Sequence, residues 1–336
     1  MLPLKISLKN SLSTKLVLFF SFLLFPYCCQ SDGLRGDDSE TSERLIQTFS
    51  GHTDKVTSAA FGSDGKTFAS SSFDNKVILW QFNGEDVKST SLGIGNDVFS
   101  VAVAADNRTV AIAAESLSAF LWNAAAKGEP KMLNAHSAPL MCVAFAKKGT
   151  GWASGGKDNN IYLWNGTGKD PVGKLTGHSD TIMDIDFSPD NTKLASAAND
   201  KTAAIWSTQT KKPIKVLKGH QSTVRCISFN TDGTKAATGS YDGTAILWNI
   251  ATGKPLKTFK GHEKGVFGVA FPSDGKRLIT GGGDRTIIIW NIETGEKLET
   301  LTGQPGAITC LAISPDGTQL LSSGGNEIRL WDVSEK

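Results

Sequence analysis

Six tryptophans (Trp80, Trp122, Trp164, Trp206, Trp248 and Trp290) stand 42 residues apart, and Trp331 follows after 41. Four of the five histidines, His136, His178, His220 and His262, keep the same interval, and His52 lies 84 residues before His136. Each His precedes a Trp by 28 residues, and of the eight tryptophans only Trp152 falls off the grid. A period of this length means that one small unit is repeated. Such a unit buries its apolar faces only by stacking on its neighbours.

Within one period the signals are those of short strands. Residues 219–249 read GHQSTVRCISFNTDGTKAATGSYDGTAILWN. Apolar, small and β-branched runs cover 224–229, 235–240 and 244–248, and a fourth run at 255–259 leads into the next Gly-His. Thr-Asp-Gly and Tyr-Asp-Gly separate the first three runs, and Gly and Asp at such tips supply the positive φ of tight hairpins. Four short strands without helical periodicity make a small antiparallel sheet. A ring of stacked sheets is an all-β propeller.

These features resemble the WD-repeat β-propeller family across residues 43–336, with Gly-His near the start of a unit and Trp-Asn near its end. The strict Trp-Asp pair occurs at Trp331–Asp332. Seven Trp-marked units imply a seven-bladed β-propeller of four-stranded antiparallel blades. The seventh unit reaches only a third strand, while residues 43–49 (ERLIQTF) read like the fourth-strand segments KPLKTF and KLETL. The amino-terminal strand should therefore complete the last blade and remove the open sheet edge. A propeller closed in this way is expected as a monomer.

The resemblance also assigns the repeated polar residues. In this family a His, a Ser or Thr, an Asp and the Trp form a buried hydrogen-bond chain within a blade. Five sets match: His52, Ser70, Asp74 and Trp80; His136, Ser154, Asp158 and Trp164; His178, Ser196, Asp200 and Trp206; His220, Thr238, Asp242 and Trp248; His262, Thr280, Asp284 and Trp290. Zinc needs several ligands converging on one point, whereas these histidines belong to separate blades. They are expected to be structural, with no metal and no catalytic role. Unit two carries Ile94, Ile112 and Ser116 at the His, hydroxyl and Asp positions and keeps only Trp122, so apolar packing is expected there. Unit seven has Gln304 in the His place and Asn326 near the Asp place.

WD-repeat propellers commonly bind peptides or proteins on the face of the His-containing loops, through positions five after the His and one before the Asp. The candidate partner-binding residues at those positions are Phe73, Phe99, Met141, Met183, Arg225, Tyr241 and Phe267. An apolar rim with one Arg and one Tyr has the composition of an interaction hot spot. No P-loop, Gly-x-Ser-x-Gly, His-Glu-x-x-His or haem-attachment motif occurs, and no cofactor is expected. Cys142, Cys226 and Cys310 fall in alternate blades, ~10 Å or more apart, beyond disulfide reach, and should be buried thiols. The expected function is a non-catalytic protein- or peptide-binding scaffold. The alternative is a small-ligand or enzymatic propeller with a site at the channel mouth, where the titratable groups on the rim, Asp97, Glu115, Lys157 and Arg225, are scattered over units two, three and five.

Charge narrows the partners further. Lys and Arg total 35 against 33 Asp and Glu, and three lysines (Lys5, Lys9, Lys15) fall in the first fifteen residues. The remainder is neutral, so no net excess points to nucleic acid or to an anionic membrane. The basic start is followed by an 11-residue apolar run, LVLFFSFLLFP, and then by Cys29 and Ser31, small residues at −3 and −1 of a cut after Ser31. That order is an export signal over 1–31, and the run is short for a membrane span. An uncleaved anchor, lipidation at Cys28 or Cys29, or a misassigned start codon with a cytoplasmic product are the alternatives. Residues 32–42 (DGLRGDDSETS) read as a flexible linker. The protein is thus expected to be exported, with membrane contact only through its amino-terminal segment.

Overall fold

The hairpins are set by residues that tolerate a left-handed backbone. Asn75 and Gly243 take φ of 65° and 82° at equivalent turns of two repeats, where most side chains would be strained. Between such turns the alternating apolar and small residues pair as strands. In one repeat these are Val224–Phe229, Lys235–Ser240, Thr244–Asn249 and Pro255–Lys260, hydrogen-bonded in chain order as an antiparallel meander.

The computed structural model describes residues 43–126 and 128–335. The expected export signal and linker, 1–31 and 32–42, lie outside the described residues. Seven four-stranded sheets follow one another, each with its first strand innermost, and each innermost strand packs beside the next. Blades one to six occupy 56–93, 98–134, 140–176, 182–218, 224–260 and 266–301. Blade seven combines Ile308–Ile313, Gln319–Gly324 and Glu327–Asp332 with the first strand of the chain, Leu45–Ser50. The molecule is a closed seven-bladed propeller.

Closure is reinforced beyond the strand ladder. Leu45–Ser50 pairs antiparallel with Glu327–Asp332, Phe49 lying opposite Ile328. Buried Arg44 pairs with Glu299 at 2.7 Å and donates to the carbonyls of Asp332 and Ser334. One side chain thereby ties the two ends of the ring to blade six.

The core is partitioned rather than central. Among the described residues the buried apolar side chains form seven clusters, one at every seam between blades. At the closing seam Phe49 meets Phe68 edge-on at 4.8 Å and Phe82 at 5.6 Å, and Phe68 stacks on Trp80. Blade two packs Ile112 and Trp122 against Val77 and Leu79 of blade one, apolar contact standing where other blades place a polar chain. Because every seam carries its own core, the blades are held at fixed angles and the ring has little freedom to shear.

Phe49 is the test of closure. Truncation of Phe49, 2 % exposed, to Ala should cost about 3–5 kcal/mol in urea unfolding. Ile46→Ala, on the same strand but 50 % exposed, should stay within about 0.5 kcal/mol. Equal effects would contradict closure by this strand.

Candidate functional site

Every innermost strand carries the same irregularity. The register of each with its neighbour shifts between its first and third residues, at Val56/Ser58, Val98/Ser100, Leu140/Cys142, Ile182/Asp184, Val224/Cys226, Val266/Gly268 and Ile308/Cys310. The skipped residue of each pair is a β-bulge, a device that re-aims one side chain out of the ladder. The seven bulge residues are Thr57, Phe99, Met141, Met183, Arg225, Phe267 and Thr309, and all line the central cavity. These are the positions five after the His. The ring round the channel mouth is therefore a product of backbone geometry repeated seven times.

The chemistry of that ring is uneven. Thr57 is buried, donating to the Val98 carbonyl at 2.7 Å, and Thr309 donates to the Val56 carbonyl at 2.7 Å. Both are spent on seams. Phe99, Met141, Met183, Arg225 and Phe267 are half-buried, with one side to the opening. Phe73 packs edge-on against Phe99 at 6.1 Å, and Tyr241, 41 % exposed, leans on Phe267 at 4.9 Å. The two aromatic pairs straddle the seams between blades one and two and between blades five and six, nearly opposite each other across the mouth. Lys157 places its ammonium 5.9 Å from the Phe99 ring centre. Arg225 makes no side-chain hydrogen bond or ion pair among the described residues.

Below the mouth the channel, about 650 Å³, is walled by all seven innermost strands. Several of its polar groups are engaged across the seams. Asp184 of blade four accepts the Ile227 N–H of blade five at 2.9 Å, and Asp186 accepts the Phe229 N–H at 2.8 Å. Lys147 of blade three closes the same strut with a 2.8 Å ion pair to Asp186. Enclosure by the channel wall pushes the Asp184 carboxyl up to about 7, against the Ile227 N–H and the Arg225 charge, which both pull it down. Cys142, Cys226 and Cys310 are free thiols, with Cys142 and Cys226 buried and Cys310 half-buried. Burial raises all three thiols, so they are held protonated and unreactive. Among the described residues no three His, Cys, Asp or Glu side chains gather as metal ligands.

The predicted polar sets assemble within their blades. In all five, one ring nitrogen of the His lies 2.7–2.8 Å from the Ser or Thr hydroxyl and the other 2.8–3.0 Å from the Asp. The Trp indole N–H donates to the same hydroxyl at 2.8–2.9 Å. The order Asp–His–Ser is that of a hydrolase triad, but these hydroxyls are 0 % exposed and already accept the indole N–H. No substrate reaches them. The preceding Gly belongs to the same device, since a Cβ on Gly51 would lie 2.8 Å from the Trp80 ring and one on Gly219 3.0 Å from Trp248.

Two family models match this chain. One described as WD domain, G-beta repeat covers residues 43–81, 129–165 and 169–207, and a β-propeller model described as WDR41 covers residues 195–336. The chain belongs to the WD-repeat β-propeller family. The comparison with curated proteins returns no match. Propellers of the WD-repeat family generally act as protein-interaction scaffolds.

One WD-repeat position escaped the sequence pattern. In blade seven Ser322 takes the hydroxyl role: the Trp331 indole donates to it at 2.7 Å, and the Gln304 amide donates from the His place. Gln304 Oε1 is left buried without a partner. Asn326, near the Asp place, donates instead to the His52 carbonyl at 3.4 Å. The seam struts Asp184 and Asp186 were also missed. Their signal was present, as two carboxylates spaced two apart in an otherwise apolar innermost strand, Ile182–Phe187.

Electrostatics agree with a closed structural role for the WD-repeat chain. Burial pushes His52 and His220 down, more than Asp74 and Asp242 pull them up, so both rings are neutral. Burial would raise the Asp74 carboxyl, but the Thr53 N–H and the His52 ring outweigh it and hold it low. Thr238→Val, which keeps shape and removes the hydroxyl, orphans His220 and Trp248 and should cost about 2–4 kcal/mol. Ile112→Val in blade two should cost only about 0.5–1.5 kcal/mol.

Asp184 gives a pH test. Its folded value near 7 exceeds the ordinary 3.8, so its contribution to stability is full below pH 3.8 and lost as pH rises through 7. Asp184→Asn keeps an acceptor for the Ile227 N–H without the charge. Its urea midpoint should fall less than that of the wild type on going from acid to alkaline of neutral. An unchanged pH profile would contradict the assignment.

Proposed function

We propose that the protein is a non-catalytic scaffold that binds a protein or peptide segment across the channel mouth, and that its amino-terminal segment exports it. The observation that carries the binding reading is the bulge ring, which delivers Phe99, Met141, Met183, Arg225 and Phe267 to one opening on a rigid frame. Phe73 and Tyr241 add an aromatic edge at two seams. Aromatic side chains and Arg are the residues that carry most interface energy, and Met adapts to the shape of what it meets. The half-buried Arg225 guanidinium, which makes no side-chain hydrogen bond among the described residues, can take a carboxylate or a carbonyl.

The titratable groups at the mouth support binding over catalysis. Asp97 and Glu115 lie together at blade two, where burial first and Glu115 next raise the Asp97 carboxyl, while Arg225 sits in blade five. A nucleophile and a base in mutual reach are the usual requirement for group transfer, and the mouth offers neither pairing. The basic, apolar and small order of residues 5–31 supports export.

The test is affinity capture from the native host with wild type and a folded Phe99→Ala, Tyr241→Ala, Phe267→Ala variant. A partner held by the wild type should lose at least about a hundredfold in affinity to the variant. Equal affinity would place the site elsewhere. Mass spectrometry of the captured bait should find a chain beginning at Asp32, and an intact amino terminus would contradict cleavage.

A further inference from the structure

Pro213–Lys218 and Pro255–Lys260 are the outermost strands of the neighbouring blades four and five, on the wall of the propeller, and the Lys215 side chain lies against Gly253 in the turn before the second. They share a charge pattern found on no other blade. The sequence holds no acid between Asp200 and Asp232, nor between Asp242 and Glu263. Across these strands and the turns before them lie Lys211, Lys212, Lys215, Lys218, Lys254, Lys257 and Lys260. The remaining outer strands carry an acid within them or beside them, such as Asp86, Glu129, Asp170, Glu299 and Glu43.

The lysines divide by role. Lys211 and Lys257 reach to the carbonyls of Val172 and Glu293 and so bridge blades. Lys212, Lys218, Lys254 and Lys260 are exposed and make no side-chain hydrogen bond or ion pair among the described residues. Between them stand exposed aliphatics: Ile214 at 43 %, Val216 at 52 % and Leu256 at 48 %. Strand alternation puts Ile214, Val216 and Lys218 on one side of their strand. The one aromatic in the two strands, Phe259, is buried.

We propose that this wall docks on an anionic lipid bilayer, with the lysines against the headgroups and the aliphatic side chains at the acyl boundary. Lysine interleaved with exposed aliphatics is the composition of an interfacial surface, since each adds attraction or buried area. A single-stranded nucleic acid is recognised by aromatic stacking with basic grooves, and the wall exposes no aromatic ring. A protein partner is anchored by Trp, Tyr or Arg, all absent from these two strands. Whole-chain charge hid the feature because acids on the other blades cancel it.

Docking through the wall is independent of the mouth, which stays open to a partner. The test is co-sedimentation of the full chain with phosphatidylcholine vesicles, with and without phosphatidylserine. The wild type should prefer the anionic vesicles and lose that preference as salt is raised. The variant Lys212→Gln, Lys218→Gln, Lys254→Gln, Lys260→Gln should bind anionic vesicles at least ~10-fold more weakly. Val216→Ser with Leu256→Ser should weaken binding and leave its salt dependence intact. The amino-terminal segment is the same in every protein, so it cancels from the comparison. Undiminished binding by the quadruple variant would overturn the proposal, and so would equal binding of both vesicle types. A single-stranded oligonucleotide bound through the same lysines without any vesicle preference would overturn it in favour of nucleic acid.

Discussion

One buried hydroxyl in each of six blades organises this molecule. A carboxylate only accepts, so the His nitrogen facing the Asp must donate, and in a neutral ring the other nitrogen then accepts. The indole N–H already fills one lone pair of the Ser or Thr, so the hydroxyl proton is free to run toward the His. The chain therefore has a single direction, from Trp through the hydroxyl and the His to the Asp. It ties the innermost loop, the second strand and the third strand of a blade into one rigid piece. Reversal at any link would leave a buried donor facing a donor, which costs more than the bond contributes.

Rigidity of the blade is what fixes the shape of the mouth. Outside blade two, the bulge residue of each innermost strand is fixed between a hydrogen-bonded frame on one side and a packed seam on the other. Seven copies bring seven side chains to one opening without any loop having to fold around a ligand. Variation then costs little. Thr57 and Thr309 serve seams while Phe99, Arg225 and Phe267 face outward, on the same backbone. Blade two shows the limit of this tolerance, since Ile112 and Trp122 hold it by apolar packing where the polar chain is missing.

Much of this was legible in the sequence because a 42-residue period transmits both the strand count and the polar chain. The five His sets and the closing strand follow from spacing and family resemblance, and the fold has both in place. What the period could not transmit is what differs between copies. Gln304 stands visibly in the His place, but that its amide keeps the bond to Ser322 is not something spacing reveals. Asp184 and Asp186 look like surface acids in a strand, and only the neighbouring blade shows them accepting backbone N–H groups. The lysine wall needs two outer strands, 42 residues apart, to be set on neighbouring blades before its charges become one surface.

The direction of the hydrogen-bond chain is the claim on which the rest depends, and nitrogen-15 NMR of the histidine rings at neutral pH reads it directly. The account predicts a proton on Nδ1, facing the Asp, in His52, His136, His178, His220 and His262, and neutral rings with Nε2 accepting from the hydroxyl for His52 and His220. For His52 and His220 that form should persist below the ordinary 6.5. Rings protonated on Nε2, or exchanging freely between tautomers, would show that the hydroxyl is not the shared acceptor and donor described here.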